Sequence, residues 1–309
     1  MTNLAGKEVI VTGAGGALGR AFAQDAASRG ACVTVNDIDE AAANETVDSI
    51  RAAGGQAAAA IADITTWDGA RQLVERVVRD RGRLDGLVNN AGVFAMQDLS
   101  DVDQPTIRKI IEVNVLGTMF CGLFAIRQMR AQAAGSVVNI TSGAHFGLPD
   151  QFAYGASKGA VASVTYCWAV DLAGTGVRVN AVSPRAQSRM FAAAQRFRES
   201  HGNYAALGEG PSPAVNAPLV SYLLSDAAAD VNGQLVRIDG SLLGLCAHPA
   251  VLVPVHVQSD WDFESIRRAF ESDLAHRQQP VGIVGVEPVS HGAAAVQWPI
   301  AGAGLWTSA

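Results

Sequence analysis

"VIVTGAGGALGRAFA" (9–23) decides the fold of this chain. A β-branched apolar run, Val9 to Thr12, enters a turn carrying Gly13, Gly15, Gly16 and Gly19, and the stretch goes on as a helix pattern. A strand that leaves through glycines into a helix N-terminus lets the backbone come close to a pyrophosphate. A glycine-rich turn alone is weak, so its meaning depends on the rest of the chain.

The rest alternates. Short strand patterns lie at 8–13, 32–37, 58–63, 86–90, 136–142, 177–183 and 234–239, several of them apolar nearly throughout. Such runs fit strands buried on both faces. Helix patterns fill the gaps at about 17–29, 39–53, 67–80, 104–133, 152–173 and 214–226, with Pro105 suited to a first turn. The alternation predicts an α/β fold: a Rossmann-type, doubly wound, seven-stranded parallel sheet in a single domain, with a C-terminal extension. Ligands of such sheets sit at the carboxyl ends of the strands, near the switch point.

Asp37 closes the second strand, about 20 residues past the glycines. A carboxylate there can accept hydrogen bonds from ribose hydroxyls and would repel a 2′-phosphate, which favours NAD over NADP. Asp63 ends the third strand and reads either as an adenine contact or as a strand-end cap.

Composition narrows the classes. The chain has 309 residues, 49% hydrophobic and 17% charged, with a net charge of −6. It is globular, and nucleic acid is not an expected partner. No continuous apolar run reaches the ~18 residues of a membrane span, and the N-terminus runs straight into a strand, so neither a membrane nor a targeting segment is expected and the location reads as cytoplasmic. Cys32, Cys121, Cys167 and Cys246 lack ligand spacing and read as free thiols, with no metal site.

Lysine is scarce: 20 arginines stand against Lys7, Lys109 and Lys158. Lys158 follows Tyr154 by one helical turn in "YGASK". A nearby ammonium favours the phenolate, and an unassisted phenol near pKa 10 is a poor base at neutral pH. Ser142 ends a strand twelve residues before Tyr154. Asn114 sits among apolar residues of a helix, where asparagine needs a reason.

Taken together, "TGAGGALG", "NNAG" (89–92), the asparagine of "EVNVLGTM" (112–119), "NITS" (139–142), "YGASK" (154–158) and "RVNAVSP" (178–184) resemble the short-chain dehydrogenase/reductase family over roughly residues 5–245. The resemblance implies hydride transfer between a carbinol carbon and NAD. It makes Tyr154 the general acid/base, with Lys158 lowering its pKa and binding the nicotinamide ribose. It gives Ser142 the substrate oxygen and Asn114 a water of the proton relay; Thr141 competes with Ser142. It puts the cofactor on Gly13, Gly15, Ala17, Leu18, Gly19, Asp37, Asp63, Ile64, Asn90, Ala91, Gly92, Tyr154, Lys158, Pro184 and Ser188. Ala17 replaces the middle glycine of the family's first turn, Arg185 follows Pro184 where the family has glycine, and "DGS" (239–241) stands for "DGG". The family also implies a homodimer or homotetramer through the helices at 104–133 and 152–173, where Phe120, Leu123, Phe124 and Trp168 could serve an interface or a core.

The substrate reading is thinner. The catalytic domain is expected at 1–245, with a lid at about 191–217 and an extension at 246–309. The extension carries a helix pattern with Phe263, Ile266, Phe270 and Leu274 on one stripe, expected to pack on the body or on a neighbour. "SPRAQSRM" (183–190) resembles the branch of (3R)-hydroxyacyl-CoA and hydroxysteroid dehydrogenases. Arg185, Arg189, Arg196, Arg198 and His201 gather around the lid and could meet the phosphates of coenzyme A, or could be a solvated face. A small-molecule secondary alcohol is the expected substrate. A dinucleotide-binding sensor is the alternative outside enzymology, which retention of the proton-handling residues opposes.

Overall fold

The computed structural model describes residues 4–201, 208–250, 255–279 and 281–283. Seven strands run parallel: β1 (Glu8–Thr12), β2 (Cys32–Asp37), β3 (Gln56–Ile61), β4 (Gly86–Asn89), β5 (Gly135–Ile140), β6 (Val177–Pro184) and β7 (Leu235–Asp239). Their order is β3-β2-β1-β4-β5-β6-β7, so the winding reverses between β1 and β4. β1 shows why the strands are apolar throughout. Val9 and Val11 enter one core with Phe22, Val47 and Leu223, while Ile10 enters the opposite core with Leu73, Leu87 and Met129. Each such side chain contributes roughly 1.5–3 kcal/mol on burial.

An eighth strand, β8 (Leu242–Leu245), joins the edge antiparallel to β7. Asp239 pairs with Leu242, so the connection is the two-residue loop Gly240–Ser241, and Gly240 takes φ 61°. That is hairpin chemistry. The seven-strand expectation lacks it, because Gly240–Ser241 is a hairpin turn inside the stretch that resembles the family's closing "DGG".

The helices are α1 (Ala17–Ser28), α2 (Glu40–Ala52), α3 (Trp67–Arg81), α4 (Gln104–Ile111), α5 (Thr118–Gln132), α6 (Phe152–Asp171), α7 (Arg189–His201), α8 (Ala217–Leu224) and α9 (Phe263–Ser272). Asp39, Thr66 and Asp103 cap α2, α3 and α4 by accepting backbone N–H bonds. The segment expected as one helix at 104–133 is interrupted by a π-turn, Glu112–Gly117, that carries Asn114. Such one-residue bulges concentrate at functional sites. By length and composition the helical run Gln104–Gln132 is long and apolar enough to cross a membrane, and half of its most apolar window is buried inside the protein. Phe124 and Trp168 lie in the core that this helix shares with α3 and α6, and Phe120 and Leu123 pack against it.

Beyond the catalytic body, α9 is closed by a capping box between Asp262 and Ser265. Of the two expectations for its stripe, packing on the body is not met: Phe263, Ile266 and Phe270 are exposed, and the helix buries Ser265 and Ala269. Part of the expected lid, 202–207, lies outside the described residues, as does the C-terminal stretch from 284.

Candidate active site

The crevice at the reversal is shaped by glycine. Gly13 follows β1 with φ 63°, and a Cβ there would stand 2.7 Å from Ala91 Cα, past the end of β4. At Gly15 a Cβ would meet Ala42 Cβ at 2.7 Å and Asp37 Oδ2 at 2.9 Å. At Gly19 it would meet Asn90 Nδ2 at 2.5 Å. The turn is therefore glycine for clearance as well as for conformation.

Asn90 locks the two strand ends together. Its Nδ2 donates to Thr12 O at 2.9 Å and to Gly13 O at 3.1 Å. Thr12 Oγ1 in turn accepts from the backbone N–H groups of Asn90 and Ala91. Asp37 Oδ2 accepts from Gly15 N at 2.9 Å and its Oδ1 from Asp39 N at 3.1 Å, so the carboxylate stands beside the glycine turn. This donor set and clearance fit a dinucleotide: backbone N–H groups at a helix start for its phosphates, a carboxylate at the end of β2 for its ribose.

Other expected cofactor residues carry structural duties. Ala17 and Leu18 open α1. Asp63 Oδ1 accepts from Thr65 N and Oγ1, which is the strand-end cap. The Ile64 side chain is buried against Gly117. Pro184 ends β6, and Ser188 Oγ accepts from Phe191 N at the start of α7.

At the other end of the site, Ser142 stands just after β5 and caps a short 3-10 turn, Gly143–Phe146, by accepting from Ala144 N at 3.2 Å. The Ser142 hydroxyl stands beside the phenol of Tyr154 on α6 and favours its ionised form. The competing Thr141 does not: its hydroxyl is buried without a hydrogen-bond partner. Phe94 covers the Tyr154 ring edge to face, with centroids 4.9 Å apart. His145, inside the turn, packs its Nδ1 on the Ser142 carbonyl.

Lys158 is buried one turn after Tyr154, with its Nζ donating to Ile140 O at 2.7 Å and lying 5.8 Å from the Tyr154 ring centre. Burial pushes the Tyr154 phenol up to about 12, opposed by the Ser142 hydroxyl, and pushes the Lys158 ammonium down to about 8. Without a bound cofactor, desolvation therefore outweighs any help from the lysine charge at the phenol. A Cβ at Gly92 would lie 3.6 Å from Lys158 Nζ and 3.2 Å from Asn114 Oδ1, so glycine keeps the β4 end open onto these groups.

Asn114 is a clamp. Its Oδ1 accepts from Val93 N at 2.8 Å, and its Nδ2 donates to Val93 O at 3.0 Å and to Ser157 Oγ at 3.0 Å. Ser157 passes the connection on by donating to Tyr154 O at 2.7 Å. With both amide protons committed, a water of the relay would have to use the Asn114 carbonyl, which already accepts from Thr118 Oγ1. Ser157 and Phe94 were missed in the sequence. The signal for Ser157 was a polar residue three after the tyrosine on a buried helix face.

Arg185 is not the free charge that its position suggested. Its Nη1 meets Asp239 Oδ1 at 3.3 Å and its Nη2 donates to Gly208 O at 3.3 Å. Arg237 binds the other oxygen of Asp239 at 2.9 Å and also Ser183 Oγ at 3.2 Å.

Comparison with known proteins agrees with this geometry. Residues 7–198 match the family model described as short chain dehydrogenase. Cis-4-hydroxycyclohexanecarboxylate dehydrogenase of Sinomonas cyclohexanicum is 34% identical over 75% of this chain and 94% of its own length. A short chain dehydrogenase from Mycobacterium avium superposes with TM-score 0.79 at 30% identity, covering 92% of this chain and 100% of that one. NAD+-bound xylitol dehydrogenase superposes with TM-score 0.72 at 29% identity, covering 77% and 99%. With the glycine crevice, Ser142 beside the buried tyrosine and lysine, and these matches in agreement, the chain belongs to the short-chain dehydrogenase family of oxidoreductases.

Proposed function

We propose that the protein interconverts a secondary alcohol and a ketone with NAD(H) as cofactor. The observation that carries this reading is the buried Lys158, one helical turn after the buried Tyr154 with its Nζ 5.8 Å from the phenol ring centre, and Ser142 beside the same phenol. A dinucleotide bound in the crevice would supply the hydride chemistry. Gly13, Gly15, Gly19 and Asp37 would hold the dinucleotide, and Lys158 would hold its sugar. Ser142 donates to the substrate oxygen, and Tyr154 takes or gives the hydroxyl proton through its phenol oxygen. Protonated Lys158 favours the phenolate most strongly once cofactor and substrate have displaced water, since charges interact more in a dry site.

For the substrate, we favour a 3-hydroxyacyl-CoA or a similarly bulky alcohol. Arg189 and Arg196 stand on α7 without an ion-pair partner among the described residues, and arginine forks suit phosphate. The second reading is a cyclic alcohol, a hydroxysteroid among them. It gains from the commitment of Arg185 to Asp239 and from the name of the Sinomonas relative. A homodimer or homotetramer belongs to the reading too, supported by Phe152 and Val170 exposed on α6, and sedimentation of the same preparation reads it.

The test is nicotinamide absorbance during turnover, NAD against NADP, across 3-hydroxyacyl-CoAs, hydroxysteroids and simple cyclic alcohols. Turnover on thioesters with NAD supports the favoured reading. Activity on free alcohols that falls when CoA is attached leaves the cyclic-alcohol reading. Tight NAD binding with no turnover across the panel points to the sensor class.

A further inference from the structure

The turn Gly143–Phe146 adjoins the pair Ser142 and Tyr154, because Ser142 caps it and α6 begins shortly beyond it. One side of the turn rests on α6: a Cβ at Gly155 would lie 2.8 Å from Ala144 O. The other side meets residues from far along the chain. Gly282 N donates to Phe146 O at 2.7 Å. A Cβ at Gly143 would stand 2.9 Å from Ile283 Cδ1 and 2.8 Å from Arg237 Nη1. The two segments come together backbone to backbone, since a Cβ at Gly147 would lie 3.8 Å from Gly282 N. Both glycines hold positive φ, 98° at Gly147 and 106° at Gly282, a region that side chains strain to adopt. About half of Ile283 (48%) stays exposed, so the contact leaves an apolar face beside the residue that follows Ser142.

We propose that residues 281–283 strap the turn after Ser142, and that Ile283 is a specificity-determining residue forming the apolar wall for the substituent on the carbinol carbon. The isoleucine suits this task because its branched Cβ restricts χ1 and presents a fixed surface. The inference rests on the assignment of Ser142 and Tyr154 to the substrate oxygen. The ligand part it recognises is a hydrocarbon branch next to the reacting carbon. Arg237 is held by Ser183 and Asp239 on the same side and bounds the wall.

The experiment uses the full chain with Ile283→Val, Ile283→Ala, Ile283→Phe and Gly282→Pro. Hydrogen exchange without substrate reads the docking. Gly282→Pro removes the donor to Phe146, and exchange of the amides at 144–147 should rise at least fivefold. The second readout is the ratio of kcat/KM for two secondary alcohols that differ in branch size. Ile283→Ala should move it about tenfold toward the larger branch, mainly through KM, and Ile283→Phe should move it the other way. Ile283→Val should fall between wild type and Ile283→Ala, with NAD affinity unchanged throughout. Exchange that does not change in Gly282→Pro overturns the strap. A ratio that stays put while all rates fall together overturns the wall and makes Ile283 merely structural. A wild-type chain inert on every secondary alcohol sinks the parent reading instead, and exchange still decides the docking.

Discussion

The two ends of the site are built by different means. At the β1–β4 crevice the chain itself is the material: glycine clearances, strand-end turns, and one amide, Asn90, tying β1 to β4. Past β5 the material is side chains brought from distant places: Ser142 and Tyr154, the Arg185–Asp239–Arg237 cluster, and Ile283. A backbone-built end offers the same contacts to any dinucleotide of the right shape. A side-chain-built end can be retuned one residue at a time. The cofactor end should thus respond to substitution through binding, and the far end through rate and choice of substrate.

The largest effect expected is at the far end. Tyr154→Phe should lower kcat by about a thousandfold, within the span usual for losing a general acid/base. NAD affinity, read by fluorescence titration, should stay within about twofold. A matching loss of NAD affinity would erase the distinction between the two ends.

Lys158 lies where the ends meet, and its pH behaviour sharpens the contrast. Burial pushes it down to about 8 from 10.5, so the unfolded chain holds more protons between those values. Stability must therefore rise with pH in that window, and below it the penalty is constant. Tyr154, pushed up from 10.0 to about 12, has the opposite sign and acts only above pH 10. Relative to Lys158→Met, the wild type should gain about 2 kcal/mol between pH 8 and pH 10 in denaturant melts. A difference that does not vary with pH would mean that the lysine is not dry.

The smallest effect belongs to the crevice. Asp37→Ala should raise KM for NAD by about thirtyfold and narrow the preference over NADP, with kcat nearly unchanged. A fall in kcat without a change in KM would show that Asp37 acts on the chemistry, contrary to its place at the end of β2.

The same contrast explains what the sequence made legible. Strand–glycine–helix order at 9–23 and the buried runs of the later strands follow from local rules, so the parallel sheet and the crevice were readable. Asp37 was readable because its distance from the glycines is set by one strand–helix–strand passage. The binding of Arg185 to Asp239 was not, because it joins residues 54 apart through sheet register. The pairing of Gly282 with Phe146 was hidden for the same reason. Ser157 and β8 were closer to the surface of the text: a polar residue on a buried face, and a Gly-Ser loop between two apolar runs.

The π-turn at Glu112–Gly117 has one more effect. A single extra residue in a helix turns everything after it by about 100° relative to an unbroken spiral. Here the part before the turn, α4, lies against α6, and the part after it, α5, lies against α3. The bulge is thus a phase shifter: it lets one continuous rod serve two neighbours on different bearings and leaves Asn114 at the joint, aimed at Val93. Closing the bulge by one residue would put the two halves back in step and swing the asparagine off its target.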